Sequence, residues 1–297
     1  MTFGQARYAR INARWNRAFE QQSPLIMVHR GTHAGLLIEN TANAVRAAIA
    51  SGAEVVEIDV AQSLDGVLYC IHDGYELPLM GVQHNVRRMT SAQIDAMPYF
   101  RSTGRNRHVG VERASELFGQ FRGTDVLFNV DRSWFNWPDE LEVLAALDMA
   151  DQMTVKCDPL PELVDAARAF DVKFPFCLMV RTPEEALAHL GDPDLNLIGL
   201  ELIAEDRDHP FCDRGFIAEI RAAGVFAMVN AEVILEDSPL FGRWDDHTAL
   251  FESPDAGYGP LFDLGVDVIQ TDWPWLLAAY RATRRANPVD STVAVPQ

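Results

Sequence analysis

Two carboxylates, Glu57 and Asp59, stand two residues apart in an apolar, β-branched run at 54–60. Residues i and i+2 of a strand share a face, so both acids point one way. Val56, Ile58 and Val60 then point the other way. Like charges held together disfavour ionisation unless a cation accompanies them. Either an arginine such as Arg30 neutralises the pair, or the pair holds a metal. An oxygen-rich set selects Mg²⁺ or Ca²⁺, with Mn²⁺ as a further candidate. His29 and His72 each end a strand-like run and lie outside any periodic apolar face. A histidine near its ordinary pKa serves as either acid or base. Both could instead join the metal sphere, although the company of carboxylates favours acid–base work.

The elements that position these groups follow a regular rhythm. Strand-like runs at 25–28, 54–60, 125–130, 152–156, 174–180, 197–202, 225–230 and 266–271 alternate with helical stretches at 41–51, 138–149, 160–170, 183–190, 213–223 and 274–283. A further strand at 67–71 returns from a turn at Asp65-Gly66. Eight main strands of this kind predict an α/β chain closed into a (β/α)8 barrel. The rival open doubly wound sheet would carry a glycine-rich phosphate loop after its first strand, and neither G-x-G-x-x-G nor G-x-x-x-x-G-K-[ST] occurs. Residues 73–112, broken by glycine and proline, read as an insertion after the second strand region. The stretch 232–262 reads as loop, because Pro239, Pro254, Gly257, Gly259 and Pro260 interrupt it. An Arg-rich amphipathic helix is expected within 1–24, the barrel over 25–285, and a loose tail over 286–297.

Barrel active sites are built at the C-terminal ends of the strands. Read in order, those ends carry His29, Arg30, Glu57, Asp59, His72, Asn129, Asp131, Lys156, Arg181, Glu201, Asn230 and Asp272. Lys156 is one of only two lysines among 25 basic residues. It reads as a site cation or as a salt-bridge partner of Asp131. Glu201 reads as a site residue or an arginine's partner, and Trp273 as a wall of the site or a packing residue. Asp272 reads as the cap of the last helix, and Asn40 as a helix cap or a ligand contact. The other histidines, His33, His84, His108, His189, His209 and His247, read as surface residues.

The chain has 297 residues and a formal charge of −18. That charge argues against nucleic acid and anionic membrane surfaces as partners, since a polyanion gains little by binding there. No apolar run reaches the roughly 18 residues of a membrane span. The four cysteines are scattered singly, as suits a reduced cytoplasmic protein. Oligomeric state is not legible.

The ordered strings His29-Arg30-Gly31, Glu39-Asn40-Thr41, Glu57-Ile58-Asp59-Val60, Asp65-Gly66 and His72-Asp73 resemble the glycerophosphodiester phosphodiesterase family. Leu127-Phe128-Asn129-Val130-Asp131, Val229-Asn230 and Gly265-Val266-Asp267 with Thr271-Asp272-Trp273-Pro274 extend the resemblance along the barrel. It implies a metal-dependent phosphodiesterase acting on a small phosphodiester. Glu57, Asp59 and Asp131 would hold the metal, His29 and His72 would be the acid–base pair, and Arg30 would hold phosphate. Asn40, Lys156, Glu201 and Trp273 complete the expected substrate contacts. The products would be an alcohol and glycerol phosphate, reached through a cyclic phosphate.

Three departures from the family pattern stand out. Asp131, with Arg132 and Ser133, replaces the usual E-x-K, so the third ligand has a shorter arm and Arg132 or Lys156 must supply the missing cation. Ile38 stands where proline is usual, and the basic, threonine-rich motif after His72-Asp73 is missing. An aspartate third ligand also resembles sphingomyelinase D-type barrels. Two alternatives therefore stay open: a phospholipase D-like lyase on lysolipids, with Trp134, Phe135, Trp137 and Trp273 lining an apolar mouth, and a catalytically weak phosphate- or metal-binding barrel.

Overall fold

The computed structural model describes residues 2–99, 110–235 and 237–286. Eight parallel strands close into the expected barrel. They are β1 (Leu25–Val28), β2 (Val55–Gln62), β4 (Leu127–Asp131), β5 (Met153–Cys157), β6 (Phe176–Val180), β7 (Leu197–Leu202), β8 (Phe226–Asn230) and β9 (Val268–Thr271). Each pairs with its neighbour in chain order, and β1 closes the ring by pairing with both β2 and β9. The short β3 (Leu68–Cys70) folds back antiparallel on β2 through the turn at Asp65-Gly66.

The two faces of each barrel strand do different work. Ile26, Val28, Val56, Ile58 and Val60 belong to the layer packed beneath the helices. Inward-facing Leu25, Met27, Val55, Leu127, Ile198, Phe226 and Val268 form a separate interior cluster, together with Phe3, Trp15 and Phe19. The N-terminal segment, including the helix Ala13–Gln21, therefore plugs the lower mouth of the barrel. Trp15 stacks on Phe226 with ring centroids 6.0 Å apart. Glycine is required at Gly199, because a Cβ there would lie 2.2 Å from the Phe226 ring.

The insertion after β3 carries two short helices, Glu76–Met80 and Ser91–Asp95, and no strand among its described residues. Its side chains form a small cluster of their own around Tyr69, Ile71, Val86, Ile94 and Tyr99. Asp65 in the hairpin turn accepts from both the backbone N–H and the hydroxyl of Ser91, which ties the insertion to β2 and β3.

The loop expected over 232–262 is corrected: it contains two helices, Asp246–Phe251 and Pro254–Leu264. The breakers mislead for physical reasons. Pro254 occupies the first turn, where its missing N–H costs nothing, behind a Ser253 cap. Gly257 lets the second helix approach the first, since a Cβ there would sit 2.5 Å from the Ala249 nitrogen. The tail beyond residue 286 and His108 lie outside the described residues.

Candidate active site

The C-terminal mouth of the barrel opens into a cavity of about 650 Å³. Its lining includes His29, Arg30, Asp59, His72, Asp131, Arg132, Lys156 and Glu201. Register explains the convergence. Glu57 pairs with Asn129 and Asp59 with Asp131 across β2 and β4, so three carboxylates share one inner face. One ligand-capable oxygen from each of Glu57, Asp59 and Asp131 lies within 4.8 Å of the others.

Each acid is positioned differently. Glu57 Oε2 accepts from the Arg30 backbone N–H at 2.7 Å, and its Oε1, although buried, has no hydrogen-bond partner among the described residues. Burial, then Asp59 and Asp131, push Glu57 well above the ordinary carboxylate range, against the pull of His29 and Lys156. Asp59 accepts from the Asn40 amide at 3.0 Å and lies 3.1 Å from Arg30 Nε. Asp131 pairs with Lys156 Nζ at 2.9 Å. Three converging acids, one of them with an unpartnered oxygen, fit a hard divalent cation.

The two histidines sit in opposite electrostatic settings. His29 Nδ1 lies 3.1 Å from Asp272 Oδ1. Burial disfavours its charged form, but Asp272, Glu232 and Glu57 outweigh burial and push its pKa up to about 10. His72 Nδ1 lies 2.9 Å from the Asp73 carbonyl, which fixes that nitrogen as the protonated one. Burial, reinforced by Arg30 and Arg132 and opposed by Asp59, lowers the His72 pKa.

The expected cations are deployed unequally. Lys156 is buried, bridging Asp131 and Glu201, whose Oε2 is 2.7 Å from Nζ. Arg132 instead donates twice to Asp73 Oδ1, at 2.9 and 2.7 Å. Arg30 spans Glu39 at 2.9 Å and Asp59, with its guanidinium 4.5 Å from the centre of the Tyr75 ring. Glu201 also accepts from Asn230 at 2.7 Å. Arg30, Asn40 and Arg132 all hold positive φ, so three of the non-glycine residues in the left-handed region cluster at this mouth.

Two of the expected contacts are placed away from the cavity lining. Asn40 does not line the cavity; its amide oxygen accepts from the Asp59 N–H, its NH₂ donates to the Asp59 carboxylate, and the helix cap beside it is Thr41. Trp273 does not line it either and packs edge-on against Trp275. Ser133 is fully buried and accepts from the Trp137 indole at 3.3 Å. Asp272, read from sequence as a helix cap, reaches back to His29. Glu232 and Gln270, which belong to none of the sequence motifs, both line the cavity.

The profile of the glycerophosphoryl diester phosphodiesterase family matches residues 29–190, more than half of the chain. The chain belongs to this family. As a member of the glycerophosphoryl diester phosphodiesterase family it is a phosphoric diester hydrolase. Among solved structures, a family member from Parabacteroides distasonis superposes with a TM-score of 0.69 at 16% identity, covering 95% of this chain and 94% of that one. A glycerophosphodiester phosphodiesterase from Agrobacterium tumefaciens gives 0.62 at 23% identity, covering 87% and 99%. An Oleispira antarctica phosphodiesterase, solved with its product sn-glycerol-3-phosphate, gives 0.59 at 18% identity, covering 88% and 98%. At these identities the likeness is one of fold. No curated protein matches the chain.

Proposed function

We propose that this phosphodiesterase cleaves a small glycerophosphodiester to an alcohol and glycerol phosphate. The observation that carries the reading is the junction, in one cavity, of three converging carboxylates with two oppositely tuned histidines. The product held by the Oleispira antarctica relative is in keeping with it. Glu57, Asp59 and Asp131 would hold the divalent metal, Mg²⁺ or Ca²⁺, with Mn²⁺ as a further candidate. When bound, that ion supplies charge neutralisation at a phosphate oxygen and acidifies a neighbouring hydroxyl.

The protein's own groups divide the remaining work. His72 keeps its Nδ1 proton on the Asp73 carbonyl, so Nε2 presents a lone pair and takes the proton of the attacking hydroxyl. His29 is held cationic by Asp272, Glu232 and Glu57, and its Nε2–H serves the departing alkoxide. Environments that push two titratable groups apart in this way are the usual basis of acid and base assignments. Lys156 takes the place of the family lysine as the interior cation, and Arg30 faces the phosphate from β1. Attack by the glycerol 2-hydroxyl gives a cyclic phosphate that water then opens.

A second reading draws on the rim. Phe135, Leu160 and Ile234 line the cavity yet remain 54%, 47% and 49% exposed. Such a surface suits the acyl chain of a lysolipid, as in the lyase alternative. No helix among the described residues is long and apolar enough to cross a membrane.

The test is release of alcohol from a panel of glycerophosphodiesters and lysophospholipids, with and without chelator. Chelator-sensitive turnover of the deacylated substrates is the expected result. His29→Ala and His72→Ala should each lower it by about 10²–10⁴-fold while leaving the fold intact. Turnover confined to acylated substrates would favour the lyase, and full activity in either variant would remove the acid–base assignment.

A further inference from the structure

The insertion after β3 sends one arginine, Arg87, across to the strands that carry the acids. Arg87 sits in a single 3₁₀ turn, Val86–Arg88, capped by the Asn85 side chain. Val86 is buried in the insertion's own cluster, which fixes that turn. From it the guanidinium meets four partners. Nη1 donates to Glu140 Oε1 at 2.9 Å, and Nη2 donates to the Val60 and Arg132 carbonyls, each at 3.1 Å. Nε lies 3.3 Å from Asp73 Oδ2. A planar fork with five donors can serve such a set at once, whereas a lysine cannot.

The positions of these partners give the contacts their meaning. The paired register of β2 and β4 ends at Asp59 and Asp131, two of the three converging acids. Val60 and Arg132 are the next residues along each strand, and one NH₂ group of Arg87 spans their carbonyls. The Arg132 N–H in turn donates to Asp131 Oδ1. On its other side Arg87 shares the Asp73 carboxylate with Arg132, which holds Oδ1. The backbone carbonyl of that same Asp73 orients His72 through Nδ1. Glu140, fully buried on the helix Asp139–Ala145, anchors the far end of the fork. Arg87 does not line the cavity, so whatever it does for the reaction passes through these neighbours.

We propose that Arg87 is a positioning residue that sets the spacing of Asp59 and Asp131 and the orientation of His72. The seating of the insertion thereby governs whether the site is competent. This inference rests on the proposed phosphodiesterase function and names the residue outside the cavity on which that function depends. Partners that orient ligands and bases from behind matter at this scale, because small misplacements of reacting groups cost large factors in rate.

The experiment uses the full chain, a glycerophosphodiester, and whichever of Mg²⁺ and Ca²⁺ supports turnover. Arg87→Met keeps an unbranched stem and removes every donor. It should lower kcat by about 10- to 100-fold while KM stays within about threefold. Isothermal titration with the same ion should show affinity reduced by about tenfold. Glu140→Gln, which keeps an oxygen for Arg87, should leave both quantities near wild type. Arg87→Met strands Glu140 as a buried acid without its cation. If that variant fails to fold by circular dichroism, Arg87→Met combined with Glu140→Gln repeats both measurements. A merely structural Arg87 would lower Tm and spare the chemistry. Wild-type kcat or wild-type ion affinity in the folded variant therefore overturns the positioning role and leaves the phosphodiesterase reading standing. Absence of wild-type turnover on every diester overturns the proposed function, and this role with it.

Discussion

Substituting Glu57 by glutamine should have opposite effects on stability with and without divalent metal. Glu57 lies with Asp59 and Asp131 so that their ligand-capable oxygens fall within 4.8 Å of one another. At an effective dielectric of about 20, each like-charged pair at that distance costs about 3.5 kcal/mol. Lys156, His29 and the Arg30 N–H recover much of this, leaving a net penalty on the order of 1–2 kcal/mol. Unfolding entropy for a chain of 297 residues is about 0.6 kcal/mol/K, so metal-free Glu57→Gln should melt about 2–3 °C above wild type. Metal reverses the order. At a free concentration of about 100 times Kd, binding to the native state adds about 2.7 kcal/mol, or about 4 °C, to wild type. Glu57→Gln should gain little, having lost a ligand charge. The wild-type response should also strengthen as pH rises, because Glu57 must lose its proton before it can ligate. Differential scanning calorimetry in EDTA and across a Mg²⁺ or Ca²⁺ titration reads all of these effects. A wild-type Tm indifferent to either ion, or an equal gain in Glu57→Gln, would refute the cluster as a metal site.

Asp272→Asn should remove the anionic partner that keeps His29 protonated, moving the alkaline limb of the kcat–pH profile to lower pH; a purely structural Asp272 would leave the limb in place. Lys156→Met should cost about 3–5 kcal/mol, or about 5–8 °C in Tm, because Asp131 and Glu201 would lose their shared cation. Adding Glu201→Gln should return part of that loss in thermal melts. Stability should also fall between pH 6 and pH 8. Burial pushes Glu140 and Glu232 up to about 7, so the folded chain binds those protons more tightly than the unfolded chain does. That contribution is complete below the ordinary glutamate range and is lost as pH rises through about 7. His29, pushed up to about 10, acts in the same direction at higher pH. A Tm that rose from pH 6 to pH 8 would contradict this, and Glu140→Gln should flatten the profile.

What could be read in the sequence and what could not divides along a physical line. The alternation of Glu57 and Asp59 with Val56, Ile58 and Val60 places the two acids on one inner face from strand period alone, and the structure keeps them there. The βα rhythm yields the barrel because each unit is local and its order in the ring is its order in the chain. The hidden relations are those that closure creates. Asp272 meets His29 across 243 residues only because β9 is the neighbour of β1, so no local signal separates this aspartate from an ordinary helix cap. Asn40 looks like a cap because it precedes a helix, yet a left-handed backbone turns its amide onto Asp59, 19 residues away. Gln270 shares the inward face of β9 with Val268, and a glutamine two residues from that core valine is the local hint that β9 faces something polar. Its weight becomes evident only beside Asn230 and Glu232, on the strand that closure sets next to it. In a closed barrel the residues that fix charge along a single strand can be read one strand at a time. Those that tune the histidines belong to pairs of strands and require the ring.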